Sequence, residues 1–272
     1  FVTSASYFDF GDLKMGKNKG QASYLRSSFV ERLNGIDQEI PNSNPRKQIG
    51  TAYNQANLMQ KISFKPSEGS TIDYAFHYSS TGNIPRYDRL IEKRDGKLRF
   101  ARWDYGPQRW TLHQLNWNTT APTKAYDQAK ITTAFQFFEE SRIDRRVGSA
   151  TQFERVEQVQ ASSLNADFIK SLFKSHFLNY GVEAVINKVD SKGQSLNVTN
   201  QTVATASSRY PKATWTSWAV YANYVVPISS RWKMQSALRY NTNGINADFS
   251  NNLKFYPLPQ LQLKDVYHSF TG

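Results

Sequence analysis

The segment WKMQSALRYN, residues 232–241, decides the fold class because its side chains alternate without interruption. In an extended chain Trp232, Met234 and Leu238 fall on one face, while Lys233 and Gln235 fall on the other. Such period-two alternation is typical of a β-strand with one apolar and one polar face. The same pattern recurs in residues 72–80, 131–137, 178–188 and 218–226.

Less regular segments complete an all-β prediction, with further strands at residues 4–14, 23–33, 49–64, 109–118, 153–168 and 264–270. Together they give about eleven long antiparallel strands, many longer than the roughly five or six residues usual in soluble sheets. Short turns near 15–20, 65–70, 119–124, 173–177 and 226–232 alternate with long polar loops at 35–47, 81–105, 142–151, 190–213 and 242–263. In an up-and-down barrel alternate connections lie at opposite ends, so this pattern predicts a transmembrane β-barrel with its long loops outside.

Composition excludes several classes of protein. The 272 residues contain 34 Lys+Arg, 22 Asp+Glu and no Cys, so the formal net charge is +12. No apolar run approaches the roughly 18–20 residues of a spanning helix, and a disulfide scaffold or Cys-ligated metal site is excluded. The basic residues are spread over the whole chain, so we expect no nucleic-acid partner.

Catalytic and metal-binding signals are absent from the sequence. Glu139 and Glu140 are adjacent, so on a strand they face opposite ways and cannot act as a close carboxylate pair. The sequence contains no Gly-x-Ser-x-Gly, His-Glu-x-x-His or phosphate-loop motif. We therefore expect neither an enzyme nor a bound metal or cofactor.

Several segments resemble the barrel of TonB-dependent outer-membrane receptors, most closely the haem and haemoglobin branch of that family. These are YFDFGDLKMG (7–16), IPRYDRL (84–90), GKLRFARWDYGPQ (96–108), FQFFEESR (135–142) with RR (145–146), FERVE (153–157), LNYGVE (178–183) and SRYP (208–211). The resemblance covers nearly the whole chain, and the order and spacing of the segments carry it.

The resemblance implies that residues 1–272 are one partial barrel domain, roughly half of a barrel of about 22 strands. It also implies a plug domain outside this chain, contact with the TonB–ExbB–ExbD system through that plug, and a location in the Gram-negative outer membrane. The expected function is active import of a scarce nutrient such as haem, a ferric siderophore or cobalamin. A passive porin-like or structural barrel and a soluble β-rich glycan-binding module are the alternatives.

The ligand-binding prediction centres on the arginine-rich segment 84–105 and on the strand before it. The named residues are His77, Arg86, Tyr87, Arg89, Arg99, Arg102 and Trp103. The guanidinium group of arginine forms paired hydrogen bonds with carboxylates and phosphates, and aromatic rings supply a flat apolar contact surface. This combination of side chains suits an anionic ligand. In the alternative interpretation the pairs Arg86/Asp88 and Arg89/Glu92 order the loop, and the remaining basic residues bind lipopolysaccharide phosphates.

Most of the tryptophans fall near the ends of predicted strands, where an amphipathic ring sits at the headgroup level of a membrane. This predicts an aromatic girdle in contact with outer-membrane lipid, formed by Trp110, Trp117, Trp215, Trp218 and Trp232.

Overall fold

The chain forms one large antiparallel sheet from long strands joined in sequence order. The computed structural model describes residues 1–16, 22, 25–173, 175–253, 255 and 262–272. The elements are β1 (Val2–Phe10), β2 (Ser28–Leu33), β3 (Ile36–Pro41), β4 (Tyr53–Ser67), β5 (Ser70–Thr81), β6 (Ile84–Pro85), α1 (Tyr87–Leu90), β7 (Lys93–Arg94), β8 (Lys97–Leu98), β9 (Phe100–Thr119), β10 (Gln128–Arg146), β11 (Thr151–Phe173), β12 (His176–Asn197), β13 (Val203–Ala206), β14 (Lys212–Pro227), β15 (Lys233–Asp248), a 3-10 turn (Ser250–Asn252) and β16 (Gln262–Thr271).

Ten of these strands pair edge to edge in the order β1-β4-β5-β9-β10-β11-β12-β14-β15-β16, while β6 and β13 add short pairings to β9 and β12. The predicted all-β, up-and-down arrangement is confirmed. Strands β9 to β12 are 19 to 23 residues long. A tilted strand needs only about 9–11 residues to cross a bilayer, so each has length to spare.

The alternation in the sequence sorts the side chains onto two faces of this sheet. We call one of them the belt face, because its exposed apolar residues recur on every long strand of the main sheet from β4 to β16. They include Leu58, Ile62, Leu115, Phe135, Leu164, Val182, Ile186, Trp218, Val220, Leu238, Val266 and Phe270. On β12 the belt face runs over Leu178, Tyr180, Val182, Ala184 and Ile186, which spans nine residues of strand. That is close to the height of a bilayer's apolar band.

The opposite face, which we call the polar face, carries amides and charges at the same height. On β12 and β15 it presents Glu183 and Arg239, whose side chains form an ion pair. Arg239 also donates a hydrogen bond from Nε to Asn241 Oδ1 at 2.7 Å. Gln114 and Gln136 continue this face on β9 and β10.

The described residues contain one small cluster of buried apolar side chains, formed by Leu90, Phe100 and Trp103 with Tyr105 against it. The long strands expose their apolar side chains instead of burying them in a second layer: Leu238 is 73% exposed and Leu115 is 45% exposed. No helix in the described part of the chain has the length and apolar character to cross a membrane.

The two ends of the sheet have different connections. At the end that we call the turn end, β4 and β5 are joined by residues 68–69, and β11 and β12 by residues 174–175. At the opposite loop end, residues 11–52, 82–99 and 198–211 form long connections with short elements of their own. The predicted turn near 15–20 lies partly outside the described residues.

Several predicted segments differ from the structure at the loop end. The predicted loop 190–213 is mostly strand, because β12 continues to Asn197, β13 spans Val203–Ala206 and β14 starts at Lys212. Residues 28–33 of the predicted strand 23–33 form β2, which pairs with β3 in a separate hairpin and not with the main sheet; residues 23–24 lie outside the described part. The predicted loop 142–151 is mostly strand, since β10 continues to Arg146 and β11 starts at Thr151. The sequence of residues 142–151 mixes charges and has no apolar face, so it did not predict a strand. In the structure, the backbone pairing of β10 with β11 continues above the apolar band of the belt face.

The β2–β3 hairpin is pinned to the tip of the β10–β11 pair by Asp37, whose side chain is fully buried. Its carboxylate accepts hydrogen bonds from Arg145 Nη1 and Nη2 at 2.6 and 2.9 Å, and from the Gly148 amide at 2.8 Å. Arg32 of the same hairpin donates a fourth, at 3.2 Å. The Asp37 carboxylate therefore attaches the β2–β3 hairpin, which lies in the connection between β1 and β4, to the β10–β11 pair in the middle of the sheet.

Candidate ligand-binding site

A bulge in β9 brings the aromatic residues of the loop end onto the polar face. Gln108 pairs with Glu140 and Tyr105 pairs with Arg142, so β9 takes three steps where β10 takes two. Because strand side chains alternate with period two, this extra residue reverses the facing of everything beyond it. Trp103 and Tyr105 therefore lie on the polar face, as Gln108 does. Without the bulge, the alternation of side chains along β9 would have placed both rings on the belt face.

Gly106 is the residue that permits the bulge. Its φ is +101°, and a Cβ at this position would lie 2.7 Å from the Gly82 carbonyl oxygen. Gly96 also has a positive φ, of +78°, but a Cβ there would meet nothing within 4 Å. Gly106 therefore combines a left-handed backbone with a close approach of two chain segments.

We expect Gly106→Ala to destabilise the protein by about 1–3 kcal/mol, since both the backbone conformation and the close approach would be strained. Urea unfolding of the variant measures this. Gly96→Ala serves as the control, because it imposes the backbone strain without the contact. If the two variants lost equal stability, the close approach to Gly82 would have no energetic role.

The connection 82–99 folds onto the polar face over this bulge. Leu90 of α1 packs against Phe100 and Trp103 to form the buried cluster, and the Arg86 amide donates to the Trp103 carbonyl at 2.9 Å. The short pairing of β6 with β9 continues the sheet at the same level. The loop is thus fixed by packing and backbone hydrogen bonds.

Two guanidinium groups lie over the same pair of aromatic rings. The Arg86 Cζ atom is 4.8 Å from the Trp103 ring centroid and 5.4 Å from that of Tyr105. For Arg142 the corresponding distances are 5.1 and 5.4 Å. Both arginines also donate to the Tyr105 hydroxyl, at 3.1 and 3.4 Å. We call Arg86, Trp103, Tyr105 and Arg142 the arginine–aromatic cluster.

Most of the arginines predicted from the sequence are already paired with carboxylates. Arg86 binds Asp88 through two hydrogen bonds, and the Asp88 carboxylate pKa is held below its usual range by this contact. Glu92 accepts from Arg89 at 2.9 Å and from Arg99. The predicted pairs Arg86/Asp88 and Arg89/Glu92 are confirmed, so these charges order the loop.

Arg102 and Tyr87 lie beside the arginine–aromatic cluster. Arg102 donates to Asp104 at 2.6 Å and to Gln152 at 3.1 Å, on the opposite face of β9 from Trp103. Tyr87 is half-buried in α1, and burial raises its phenol pKa against the lowering effect of Arg26. Neither side chain joins the stack over Trp103.

Arg142, which falls in the predicted loop 142–151, is the cation of the cluster with no ion-pair partner among the described residues. Its Nε atom is buried without a hydrogen-bond partner. Arg142 is part of a strand and reaches Trp103 only because of the bulge. Alternation alone gave no signal for this meeting.

A second polar group lies next to Arg142 on β11. Glu157 is buried, its Oε2 accepts from Arg209 at 3.2 Å, and its Oε1 has no hydrogen-bond partner. Arg209 lies in the connection before β14 and also approaches Glu140 at 4.0 Å. The site therefore places a guanidinium that has no ion-pair partner near a carboxylate oxygen, Glu157 Oε1, that has no hydrogen-bond partner.

His77 lies on the polar face as predicted, but away from the arginine–aromatic cluster. Its ring centroid is 6.0 Å from that of Trp110. It lines a cavity of about 430 Å³ with Lys61, Asp73 and Gln114. No group of three metal-ligating side chains occurs in the part of the chain that the structure describes.

The five tryptophans of the predicted girdle divide between the two faces. Trp117 and Trp218 are on the belt face, and Trp232 is 73% exposed in the turn before β15. Trp110 instead pairs with Ser79 and Phe138 on the polar face and donates to Gln136 at 3.2 Å. Trp215 pairs with Asn187 and Ile245 on the same polar face. Proximity to a strand end does not reveal the side to which a ring points.

Comparison with known proteins identifies the fold. No family model and no curated relative match the sequence. The structure is similar to that of the copper transporter OprC, with a TM-score of 0.59 at 10% identity, over 98% of this chain and 36% of that one. It is also similar to the unliganded ferric citrate transporter FecA, with a TM-score of 0.51 at 15% identity, over 80% of this chain and 32% of that one. The chain thus spans about a third of the length of either protein.

Proposed function

We propose that this chain is part of the barrel of an outer-membrane receptor that imports a scarce nutrient with energy from the TonB–ExbB–ExbD system. The observation that carries the proposal is the belt face, an apolar band about one bilayer high on a sheet whose other face is polar. Lipid on one side and water or a plug on the other account for both faces. The similarity to the folds of two solved transporters supports it.

In this proposal the polar face lines the lumen, and the arginine–aromatic cluster meets the ligand near the outer mouth. Arg142 offers an unpaired guanidinium over aromatic rings, and Glu157 Oε1 offers an acceptor. This suits a ligand that has anionic oxygens, a flat or apolar surface and a hydrogen-bond donor. Haem, ferric siderophores and cobalamin all remain in this class; the haem branch rests on the sequence resemblance alone.

The predicted ligand residues are kept in the proposal with different roles. Arg86 and Trp103 contact the ligand, while Tyr87, Arg89, Arg99 and Arg102 hold the loop that positions them. His77 serves a separate part of the lumen. Of the predicted girdle, Trp117, Trp218 and Trp232 meet lipid headgroups, whereas Trp110 and Trp215 face the lumen.

A growth test identifies the ligand and separates active import from a passive porin. A strain in which the gene for this protein is deleted is grown with haem, haemoglobin or a ferric siderophore as the sole source of iron, or with cobalamin as the sole source of that vitamin. We expect loss of growth on just one of these nutrients. A strain that lacks TonB should show the same loss. Growth that persists without TonB would contradict active import and favour a porin-like barrel.

Arg142→Gln is expected to weaken binding of the ligand that this test identifies by about 10- to 100-fold, the worth of one charge-assisted hydrogen bond. Titration of the purified full-length protein measures the affinity. Arg94→Gln is the matched control, since Arg94 is an exposed cation of the same loop end. Equal affinity of the two variants would remove Arg142 from the site.

A further inference from the structure

The turn end of the sheet carries an excess of basic residues. Its connections join β4 to β5, β9 to β10, β11 to β12 and β14 to β15. With the strand residues that flank them, at 65–70, 119–130, 170–175 and 228–233, they contain seven lysines and arginines and two acidic residues. One of the seven, Lys174, lies outside the described residues. At the loop end, by contrast, cations such as Arg86, Arg89 and Arg145 bind carboxylates.

Five of the turn-end cations are exposed and have no ion-pair partner in the part of the chain that the structure describes. They are Lys65, Lys124, Lys130, Arg231 and Lys233, and we call them the basic rim. Lys170 differs, because it binds Asp127 at 2.7 Å. Asp167 lies opposite Lys130 in the pairing of β10 with β11, but its carboxylate accepts a hydrogen bond from the Tyr221 hydroxyl instead.

The basic rim lies on the polar side of the sheet. Lys130 and Lys233 occupy polar-face positions, as Gln136 and Arg239 do on the same strands. From β4, which carries Lys65, to β15, which carries Lys233, the sheet has seven strand spacings, or roughly 34 Å. A single small anion cannot reach both ends of this rim, whereas a polymer with repeated negative charges can.

A cavity of about 940 Å³ opens at the same end, beside the β4–β5 turn. Its lining includes Lys65, Thr71, Asn118, Gln128 and Lys130. Its carboxylates, Glu68 and Asp167, balance the two lysines, so the excess positive charge lies around the cavity and not in it. The hydroxyl and amide groups of its wall suit hydrogen bonds to an uncharged sugar that has N-acetyl groups.

The wall of this cavity is held in place by the packing of one turn on the next. The Thr120 amide donates to the Gly69 carbonyl at 2.7 Å. A Cβ at Gly69 would lie 2.7 Å from Thr120 Oγ1, so the two segments are in close contact. The cavity is therefore formed by a fixed part of the chain.

We propose that the turn end binds the cell-wall glycan of the periplasm, whose sugars carry N-acetyl groups and whose stem peptides carry carboxylates. One sugar unit would enter the cavity, and successive stem peptides would contact the basic rim. Charge complementarity and the length of the rim select a repeating polyanion over a small anion. The position of the rim on the polar side selects a polymer over membrane lipid. The inference rests on the proposed outer-membrane location, which puts the short turns in the periplasm.

The test is co-sedimentation of the full-length protein, purified in detergent, with isolated peptidoglycan sacculi. Lys65→Gln/Lys130→Gln/Lys233→Gln, the rim variant, should bind sacculi about 10-fold more weakly than the wild type, because three exposed charge contacts are lost. Lys93→Gln/Arg94→Gln/Lys97→Gln is the matched control, since it removes three exposed cations at the loop end and should bind like the wild type. Sacculi whose carboxylates have been amidated should lose most of the wild-type binding.

A cavity variant tests the sugar contact separately. Gln128→Trp adds bulk at an exposed position of the cavity lining, so it should weaken binding of sacculi. Binding of polyglutamate, which has carboxylates but no sugar, should stay unchanged in this variant.

The proposal is overturned if the rim variant keeps wild-type affinity for sacculi, if amidated sacculi bind as well as native ones, or if Gln128→Trp leaves binding of sacculi unchanged. Phosphatidylglycerol vesicles provide the comparison with lipid. If they bound as tightly as sacculi and with the same dependence on the rim, the rim would belong to lipid and the proposal would also be overturned.

These outcomes are separable from ligand import. The rim variant should still support TonB-dependent growth, because its three lysines lie at the opposite end of the sheet from the arginine–aromatic cluster. Growth without TonB would contradict the proposed function, whereas normal import with unchanged binding of sacculi would contradict only this inference.

Discussion

Leu238→Arg is expected to destabilise the protein by about 2–4 kcal/mol if residue 238 lies near the bilayer midplane, and less towards an interface. Leu238 lies on the belt face of β15, in the same row as Ala222 and Tyr180, and is 73% exposed, so the loss would not come from a cavity in a core. It would come from the transfer of a guanidinium into hydrocarbon. Reversible urea unfolding of the full-length protein in liposomes measures the difference.

Gln235→Arg is the matched control for this prediction. Gln235 is also exposed on β15, three residues away, but on the polar face. The same added charge should there cost much less, because the lumen side contacts water or a plug. Equal destabilisation by the two substitutions would contradict the assignment of the faces.

Asp37→Asn should release the β2–β3 hairpin from the tip of β10–β11, at a cost of about 3–5 kcal/mol. The Arg145 side chain is only 8% exposed, so the substitution would leave its charge buried without a counter-ion. Asparagine also keeps the size of aspartate, so packing is preserved. Hydrogen exchange of the amides in residues 28–41 measures the local opening free energy.

Glu31→Gln in the same hairpin provides the comparison, since Glu31 is exposed and should contribute little. If Asp37→Asn left hydrogen exchange of the hairpin as slow as in Glu31→Gln, the buried ion pair would not be the anchor.

The same contact predicts a pH dependence. Burial alone would raise the pKa of Asp37, but the hydrogen bonds from Arg145 and Gly148 outweigh it and hold the pKa below the ordinary value of 3.8. A carboxyl with a lowered folded-state pKa stabilises the structure above its unfolded pKa, and this contribution is lost as the pH falls through the folded value. Protection of residues 28–41 should therefore be constant from neutral pH to about pH 4 and should fall below it.

The fold was largely predictable because a sheet whose two faces have different surroundings needs apolar side chains on one face and polar side chains on the other. Along each strand this requirement appears as an alternation of apolar and polar residues. Residues 232–241 show it without a break, and their facing in β15 is as predicted. Residues 142–151 carry no such pattern, since their surroundings above the belt do not differ between the two faces. Their extension as strand comes from continued backbone pairing, which leaves no composition signal.

The candidate site was predictable only in part. The ion pairs Arg86/Asp88 and Arg89/Glu92 follow from short sequence separation. The meeting of Arg142 with Trp103 depends on one extra residue at the Gly106 bulge, which reverses facing beyond it. A pattern with period two cannot reveal where the period itself slips. Trp110 and Trp215 are a different case: no slip intervenes, and their facing follows the parity of their positions and not their closeness to a strand end.

The central claim, that alternate residues contact lipid, is tested most directly by a cysteine scan of β15. This segment contains no native cysteine, so single cysteines at positions 234–241 can carry spin labels without interference from it. In liposomes, labels at even positions should be accessible to oxygen dissolved in the lipid, and labels at odd positions should be accessible to a water-soluble paramagnetic reagent or protected from both. Accessibility that did not alternate, or that favoured lipid at odd positions, would contradict the account.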